Sequence, residues 1–192
     1  MCYRQVSLRP VSLVPHRPRH LPAYWSTLMQ EVTAMSREIR AEVDLDCTAD
    51  AVWSVLTNFS EYTSWNPFIV SAAGRAELGA SVEVIIAVPE GRRLKFQPRI
   101  FRVASGKRLA WSTGMFIPGL FDRDVSFDIE ELDGGRARFV HQATLSGVLV
   151  PFRRRAVRDL ETGYAVMNEA LRRRVATVAA SRPVAPGEAV AP

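Results

Sequence analysis

Cysteine is scarce in this chain of 192 residues, which contains only Cys2 and Cys47. A disulfide scaffold needs more cysteines, and neither residue belongs to a CxxC pair, so we expect a reducing, cytoplasmic setting. Long hydrophobic runs are also missing. No stretch approaches the roughly 18 consecutive apolar residues of a membrane-spanning helix, so stable membrane insertion is not expected.

Histidine is equally rare: the chain has His16, His20 and His141. Two of them lie close to the N-terminus, so no histidine cluster with metal-ligand spacing is available. The glycine-rich motifs of nucleotide sites and the GxSxG motif of hydrolases are absent as well. We therefore expect neither a metal nor another cofactor.

The composition is otherwise that of a folded protein, with 47% hydrophobic and 23% charged residues. The net charge is +5, and nearly all of the positive charge is arginine, because Lys95 and Lys107 are the only lysines. A basic balance permits contact with nucleic acid or an anionic membrane. Without a recognition motif it does not predict nucleic-acid binding.

The two ends differ from the rest of the chain. Residues 1–34 carry four arginines before the first acid, Glu31, and several prolines interrupt every short apolar run. This favours a disordered extension over a secretory signal or a transit helix, and Met35 resembles a natural protein start. Residues 181–192 are rich in proline and alanine and are predicted to be disordered too. One domain is thus expected over residues 35–180.

Hydrophobic periodicity predicts the elements of this domain. Residues 37–46 alternate as a half-buried strand, and Thr48 or Asp50 can cap a following short helix. A second short helix should end at Asn66-Pro67. Six strands separated by turns are then expected up to about residue 150, with an edge or a bulge at Pro98. After Pro151 the period becomes that of one long amphipathic helix, whose apolar positions are Phe152, Ala156, Leu160, Tyr164, Met167, Leu171, Val175 and Val178.

This order predicts an antiparallel meander whose apolar face is covered by the final helix. It resembles the START-like superfamily, also called the SRPBCC or birch-pollen-allergen-like fold, and in particular its polyketide cyclase/dehydrase and lipid-transport group. The residues that carry the resemblance lie between 37 and 180 and include the phrases Ala49 to Trp53 and Tyr62 to Phe68. It implies an α+β helix-grip fold: a curved seven-stranded antiparallel sheet, two short helices and a long C-terminal helix over an apolar cavity.

Two polar residues are candidates for chemistry in that cavity. His141 shares a strand face with Phe139 and Leu145, where it could hydrogen-bond a ligand or act as an acid or base. Alternatively, it is a core histidine bonded to a neighbour. Arg123 is in register with Val125, so it could bind a carboxylate, phosphate or enolate oxygen. Otherwise its side chain extends to solvent or pairs with an adjacent aspartate, Asp122 or Asp124.

Aromatic and methionine side chains are candidates for the cavity wall, although some will only pack in the core. They are Trp65, Phe68, Phe96, Trp111, Phe116, Phe121, Phe127, Phe139, Tyr164 and Met167. Ligand entry is expected to involve residues 114–119 and the start of the long helix. Arginines at 153–155, 158 and 172–174 could grip phosphates, but interleaved acids favour a solvated helix face.

Three functions remain open at this point. The first is binding of a small hydrophobic or amphipathic ligand such as a lipid, polyketide or isoprenoid, by a monomer or weak homodimer. The second is a cofactor-independent cyclase or dehydratase that uses His141 or Arg123. The third is a co-chaperone-like interaction protein, which would need an apolar patch on the outer face of the sheet.

Overall fold

The computed structural model describes residues 36–114 and 121–180. The predictions for residues 1–34, 115–119 and 181–192, including that for Phe116, lie outside the described residues. The strands are β1 Ser36–Leu45, β2 Ile69–Ala73, β3 Glu83–Ala87, β4 Arg93–Phe96, β5 Arg99–Ala104, β6 Arg108–Thr113, β7 Asp122–Leu132 and β8 Arg136–Ser146. The helices are α1 Ala49–Thr57, α2 Tyr62–Trp65 and α3 Arg154–Ala180, with 3₁₀ turns at Phe59–Glu61, Pro89–Gly91 and Val150–Phe152.

The two short helices form where the sequence predicts them. The Thr48 hydroxyl accepts a hydrogen bond from the backbone N–H of Ala51 and caps the first turn of α1. Val52, Val55 and Leu56 then bury one face of this helix. The second helix follows a 3₁₀ turn and ends at Trp65, directly before Asn66 and Pro67.

The sheet is antiparallel, and its larger part has the order β1-β8-β7-β6-β5. The strand predicted around residues 94–100 is divided into β4 and β5 at Pro98, which has no N–H for the ladder. A smaller sheet, β2-β3-β4, continues the larger one through the bonds from Val82 N to Pro98 O and from Ile100 N to Ala80 O. Counting β4 and β5 as one broken strand gives the predicted seven strands.

Helix α3 packs against β1 and β8 and also contacts both short helices. Its buried face includes Leu160, Tyr164, Met167, Leu171 and Val175, as the helical period predicts. The placement of Phe152 on this face is wrong. Phe152 belongs to the 3₁₀ turn before α3 and its side chain is 83% exposed. Within the described part of the chain, no helix is both long and apolar enough to cross a membrane.

Candidate functional site

The inner face of β7 and β8 carries the two polar candidates. In β7, Arg123 is the first inward residue, and β8 places His141 directly opposite Phe127. Ala143 lies between Arg123 and His141 on this face and pairs with Val125, so a small side chain separates the two polar groups. The period of two along a strand is what brings all of these residues to one side of the sheet.

His141 is almost fully buried, with 1% of its surface exposed. Its ring stacks on that of Tyr164 from α3, with centroids 3.6 Å apart and planes 20° apart, and it also touches Phe127. Its Nδ1 atom has no hydrogen-bond partner among the described residues. Burial, and secondly the charge of Arg123, hold the pKa of His141 well below its ordinary value, so the imidazole is neutral near pH 7.

Tyr164 closes the other side of the His141 ring. Its hydroxyl is buried and, within the described parts of the chain, lacks a hydrogen-bond partner. Burial raises the pKa of Tyr164 to about 12, while the nearby Arg123 opposes that rise. A buried hydroxyl without a partner costs about 1–3 kcal/mol, so this part of the interior favours a molecule that can supply one.

Arg123 is a buried cation with 8% exposure. Its guanidinium lies over the half-buried Phe96 ring of β4, 4.6 Å from the centroid. No carboxylate of residues 36–114 or 121–180 forms a salt bridge with it, so the alternative of a pairing with Asp122 or Asp124 is not what the structure has. Burial lowers the pKa of Arg123, and interaction with Tyr164 partly offsets this. The side chain does not extend to solvent either.

Thr113 is a polar residue of the same site that the sequence reasoning missed. It is paired with Arg123 across β6 and β7, and its buried hydroxyl finds no partner in the described chain. Its alternation with Leu109 and Trp111 was a usable signal, since those two residues face inward. We call Thr113, Arg123, His141 and Tyr164 the interior polar cluster.

Most of the predicted wall residues surround this cluster and touch one another. Ring centroids are 5.7 Å apart for Phe68 and Tyr164, 4.8 Å for Trp111 and Phe127, and 6.1 Å for Phe127 and Phe139. Met167 is fully buried. Trp65, Phe96 and Phe121 are half-buried and pack at the margin of the core. The rings therefore fill much of the space between the sheet and α3 in which the sequence predicted a cavity.

Two buried asparagines and a glycine complete the surroundings, and none of them was predicted as a site residue. Asn66 Oδ1 accepts hydrogen bonds from the N–H groups of Phe68 (3.0 Å) and Ile69 (2.8 Å), which fixes the turn into β2. Asn168, one turn after Tyr164, has neither amide atom bonded within the described residues. Gly163 lets Phe68 lie against α3, because a Cβ there would be 2.3 Å from its ring.

Two cavities lie away from the interior polar cluster. One of about 540 Å³ is at the start of α3, beside Ser36, Val150 and Arg154. The other, of about 250 Å³, is on the outer face of the sheet near Phe101, which is 51% exposed. That outer face is otherwise polar, with Arg108 bonded to Asp128, which does not favour the co-chaperone-like hypothesis. Within the described ranges, no group of three His, Cys, Asp or Glu could hold a metal ion.

The fold and the site define a helix-grip protein whose interior, between sheet and long helix, carries a buried cation and neutral polar groups. The family described as polyketide cyclase / dehydrase and lipid transport matches residues 36–178. The chain belongs to this family, and a role in ligand binding or cyclisation follows in general terms. No match was found among curated proteins.

Solved structures share the fold at low sequence identity. An aromatase/cyclase, Zhui, from Streptomyces sp. R1128 is 17% identical, with a TM-score of 0.64 over 75% of this chain and 96% of its own. A START superfamily protein from Mycobacterium smegmatis is 16% identical, with a TM-score of 0.58 over 73% and 98%. The structure of Ara h 8.0201 is 15% identical, with a TM-score of 0.58 over 74% and 99%. These likenesses confirm the fold and leave the ligand open.

Proposed function

We propose that the chain binds a small amphipathic ligand of the lipid, polyketide or isoprenoid type. Its apolar part packs among the wall residues, and its anionic or carbonyl end meets the interior polar cluster. The observation that carries this proposal is the buried Arg123, which has no carboxylate partner among the described residues. A buried guanidinium is costly unless an anion or hydrogen-bond acceptor offsets its lost hydration.

The neighbours of Arg123 support the same conclusion. The hydroxyls of Thr113 and Tyr164 and the Nδ1 of His141 are buried without partners in the described chain, and oxygen atoms of a ligand can satisfy them. A pure hydrocarbon would leave all of these groups unsatisfied. Phe96 and Phe121 are only half-buried, so ligand entry beside Arg123 displaces side chains that already contact solvent.

A pair of amphiphiles matched in chain length but different in charge tests the proposal. A fatty acid and the alcohol of equal chain length compete with a fluorescent apolar probe for the purified protein. We expect the carboxylate to bind about tenfold or more tightly, because a charge-assisted hydrogen bond contributes about 1.5–3 kcal/mol. Arg123→Met should abolish this preference, while Arg102→Met on the exposed side of β5 should keep it. Equal affinities in the unaltered protein would contradict the proposal.

A second candidate function, a cyclase or dehydratase, is favoured by the state of His141. Its low pKa keeps the imidazole in the basic form at neutral pH, next to the Tyr164 hydroxyl and close to the charge of Arg123. A base, a donor and a cation together suit enolisation of a ketone. On this hypothesis, His141→Gln retains ligand affinity but loses turnover of a polyketide-like substrate. Unchanged turnover in that variant would exclude His141 from catalysis.

A further inference from the structure

The start of α3 and the turn before it form an exposed apolar and basic surface. Phe152 is 83% exposed and Val148 is 48% exposed, whereas Val150 between them is buried. The turn is ordered by backbone bonds from Phe152 N to Leu149 O and from Arg153 N to Val150 O, both 3.1 Å. Phe152 is therefore held outward by an anchored turn, in contrast to the buried aromatics of the core.

Three arginines around Phe152 have no salt-bridge partner among the described residues. Arg153, Arg154 and Arg158 are all exposed, and we call them, together with Phe152 and Val148, the basic end surface. The arginines in the second half of the same helix differ, because Arg172 and Arg173 both pair with Glu169. Among the described residues, the arginines of α3 and its preceding turn that lack a salt bridge are thus concentrated at the N-terminal end of the helix.

That concentration is unfavourable within the protein itself. The N-terminal end of a helix is the positive end of its dipole, and it favours acids over arginines. The first turn of α3 contains no acidic residue. Arg153 and Arg154 therefore lie at the positive end of the helix without a salt bridge in the described ranges, and an external anion can offset their charge.

The shape of the surface fits a lipid head group. The cavity of about 540 Å³ lies here, with Val150 and Val157 among its apolar lining residues and Arg37, Arg154 and Arg158 beside them. Glu161 also lines this cavity, and its carboxylate oxygen is 3.9 Å from the guanidinium of Arg37, so the charge of Arg37 is partly balanced and those of Arg154 and Arg158 are not. An apolar pocket bordered by cations matches a molecule with an anionic head and hydrocarbon chains.

The surface also lies at the end of the sheet that holds Arg123. Ser36 pairs with Ser146, and Ser146 pairs with Asp122, the residue before Arg123. The strand ends and the start of α3 therefore meet at one end of the molecule, next to the buried cation. A membrane bound at this end faces the part of the interior where the proposed ligand would carry its polar group.

We propose that the basic end surface docks onto a bilayer containing anionic phospholipid. Phe152 enters the interfacial region, and Arg153, Arg154 and Arg158 contact the head-group phosphates. A nucleic acid would use the arginines but not Phe152 and Val148, and a second copy of the chain would present like charge. The docking does not depend on the interior polar cluster, so it can fail or succeed independently of ligand binding.

Co-sedimentation of the full chain with vesicles tests this proposal. The vesicles contain either phosphatidylcholine alone or equal parts of phosphatidylcholine and phosphatidylglycerol. We expect binding to the anionic vesicles only. Each arginine near such a surface contributes about fivefold in affinity, so the triple variant Arg153→Gln, Arg154→Gln, Arg158→Gln should bind about a hundredfold more weakly. Phe152→Ser should also weaken binding, by about fivefold or more.

The matched control is the triple variant Arg172→Gln, Arg173→Gln, Arg174→Gln, which has the same net charge and alters the same helix. It should retain anionic-vesicle binding to within about threefold. Equal losses in the two triple variants would show that only net charge matters and would overturn the proposal. Binding of the unaltered chain to a single-stranded RNA oligonucleotide but not to anionic vesicles would overturn it as well. Circular dichroism of each variant verifies that the helices are retained.

Discussion

At the residue scale, the buried His141 makes stability depend on pH. Its folded-state pKa lies well below the ordinary 6.5, first through burial and then through Arg123. His141 therefore binds a proton near pH 6.5 in the unfolded chain, whereas in the folded protein it stays neutral at that pH. The free energy of unfolding should fall as pH decreases through that value, by up to about 1.4 kcal/mol per pH unit.

Urea unfolding between neutral and mildly acidic pH measures this dependence. His141→Gln removes the titrating group and keeps a polar side chain of similar size. The variant should therefore lose less stability on acidification than the unaltered protein, whatever its absolute stability. Parallel pH profiles for the two proteins would show that His141 is not the group responsible.

At Gly163 we expect a substitution to alanine to lower the stability of the protein, although helix propensity alone would raise it. Glycine to alanine in a helix ordinarily stabilises by about 1 kcal/mol. Here the added Cβ would be 2.3 Å from the ring of Phe68, so Gly163→Ala should destabilise by about 1–3 kcal/mol. In a Phe68→Ala background the same change should cost much less, because its obstacle is gone. If Gly163→Ala stabilised the protein, the ring of Phe68 would have to move away from the added Cβ at little cost, and the prediction would be wrong.

Part of the site follows from sequence at this scale. Strand alternation places His141 and Arg123 on the inner face, since a period of two decides which side a residue faces. The same rule covers Thr113, which the prediction overlooked. That Arg123 lies over Phe96 does not follow from any local pattern, because the two residues come from different strands and meet only in the folded sheet. Whether a buried polar group has a hydrogen-bond or salt-bridge partner depends on such contacts between strands and helix, which the local sequence does not reveal.

At the element scale, Asn66 determines how α2 leads into β2. Its side chain accepts two buried backbone N–H groups, at 3.0 and 2.8 Å. Asn66→Ala leaves both donors without an acceptor, so we expect a loss of about 2–4 kcal/mol. Thr48→Ala is a suitable comparison, because its capping bond is exposed and 3.4 Å long and should contribute about 1 kcal/mol or less. Similar losses in denaturant unfolding would contradict this ranking.

Element order and most boundaries could be predicted, and the exceptions have local causes. Pro98 was expected to mark an edge or a bulge. It divides a strand into β4 and β5, each the last strand of its sheet, because one missing N–H interrupts the ladder. Phe152 fitted the helical period, yet it lies in a 3₁₀ turn that begins the approach to α3. Periodicity alone does not locate a helix start, since residues just before the first turn can continue the same spacing.

At the scale of the whole molecule, a curved sheet and a straight helix were expected to leave a cavity. Much of that space is occupied by rings in contact: Phe68 packs on Tyr164, and the ring of His141 contacts both Tyr164 and Phe127. The sequence could not indicate that several polar atoms of this interior lack hydrogen-bond partners, or that the guanidinium of Arg123 is buried without a carboxylate, among the described residues. A ligand with oxygen atoms therefore gains more in this interior than a plain hydrocarbon, which strengthens the case for an amphipathic guest.

The core also predicts which part of the chain is needed for folding. The buried hydrophobic residues described extend from Ile39 to Val175, and β1 pairs with β8 along its whole length. A chain of residues 35–180 should therefore unfold at the same denaturant midpoint and with the same m-value as the full chain, because m follows the surface exposed on unfolding. Removing β1 as well should abolish cooperative unfolding, because β8 would lose its hydrogen-bonded neighbour and part of the buried face of α3 would be exposed. A clearly lower midpoint for residues 35–180 would mean that the terminal segments contribute to the folded domain.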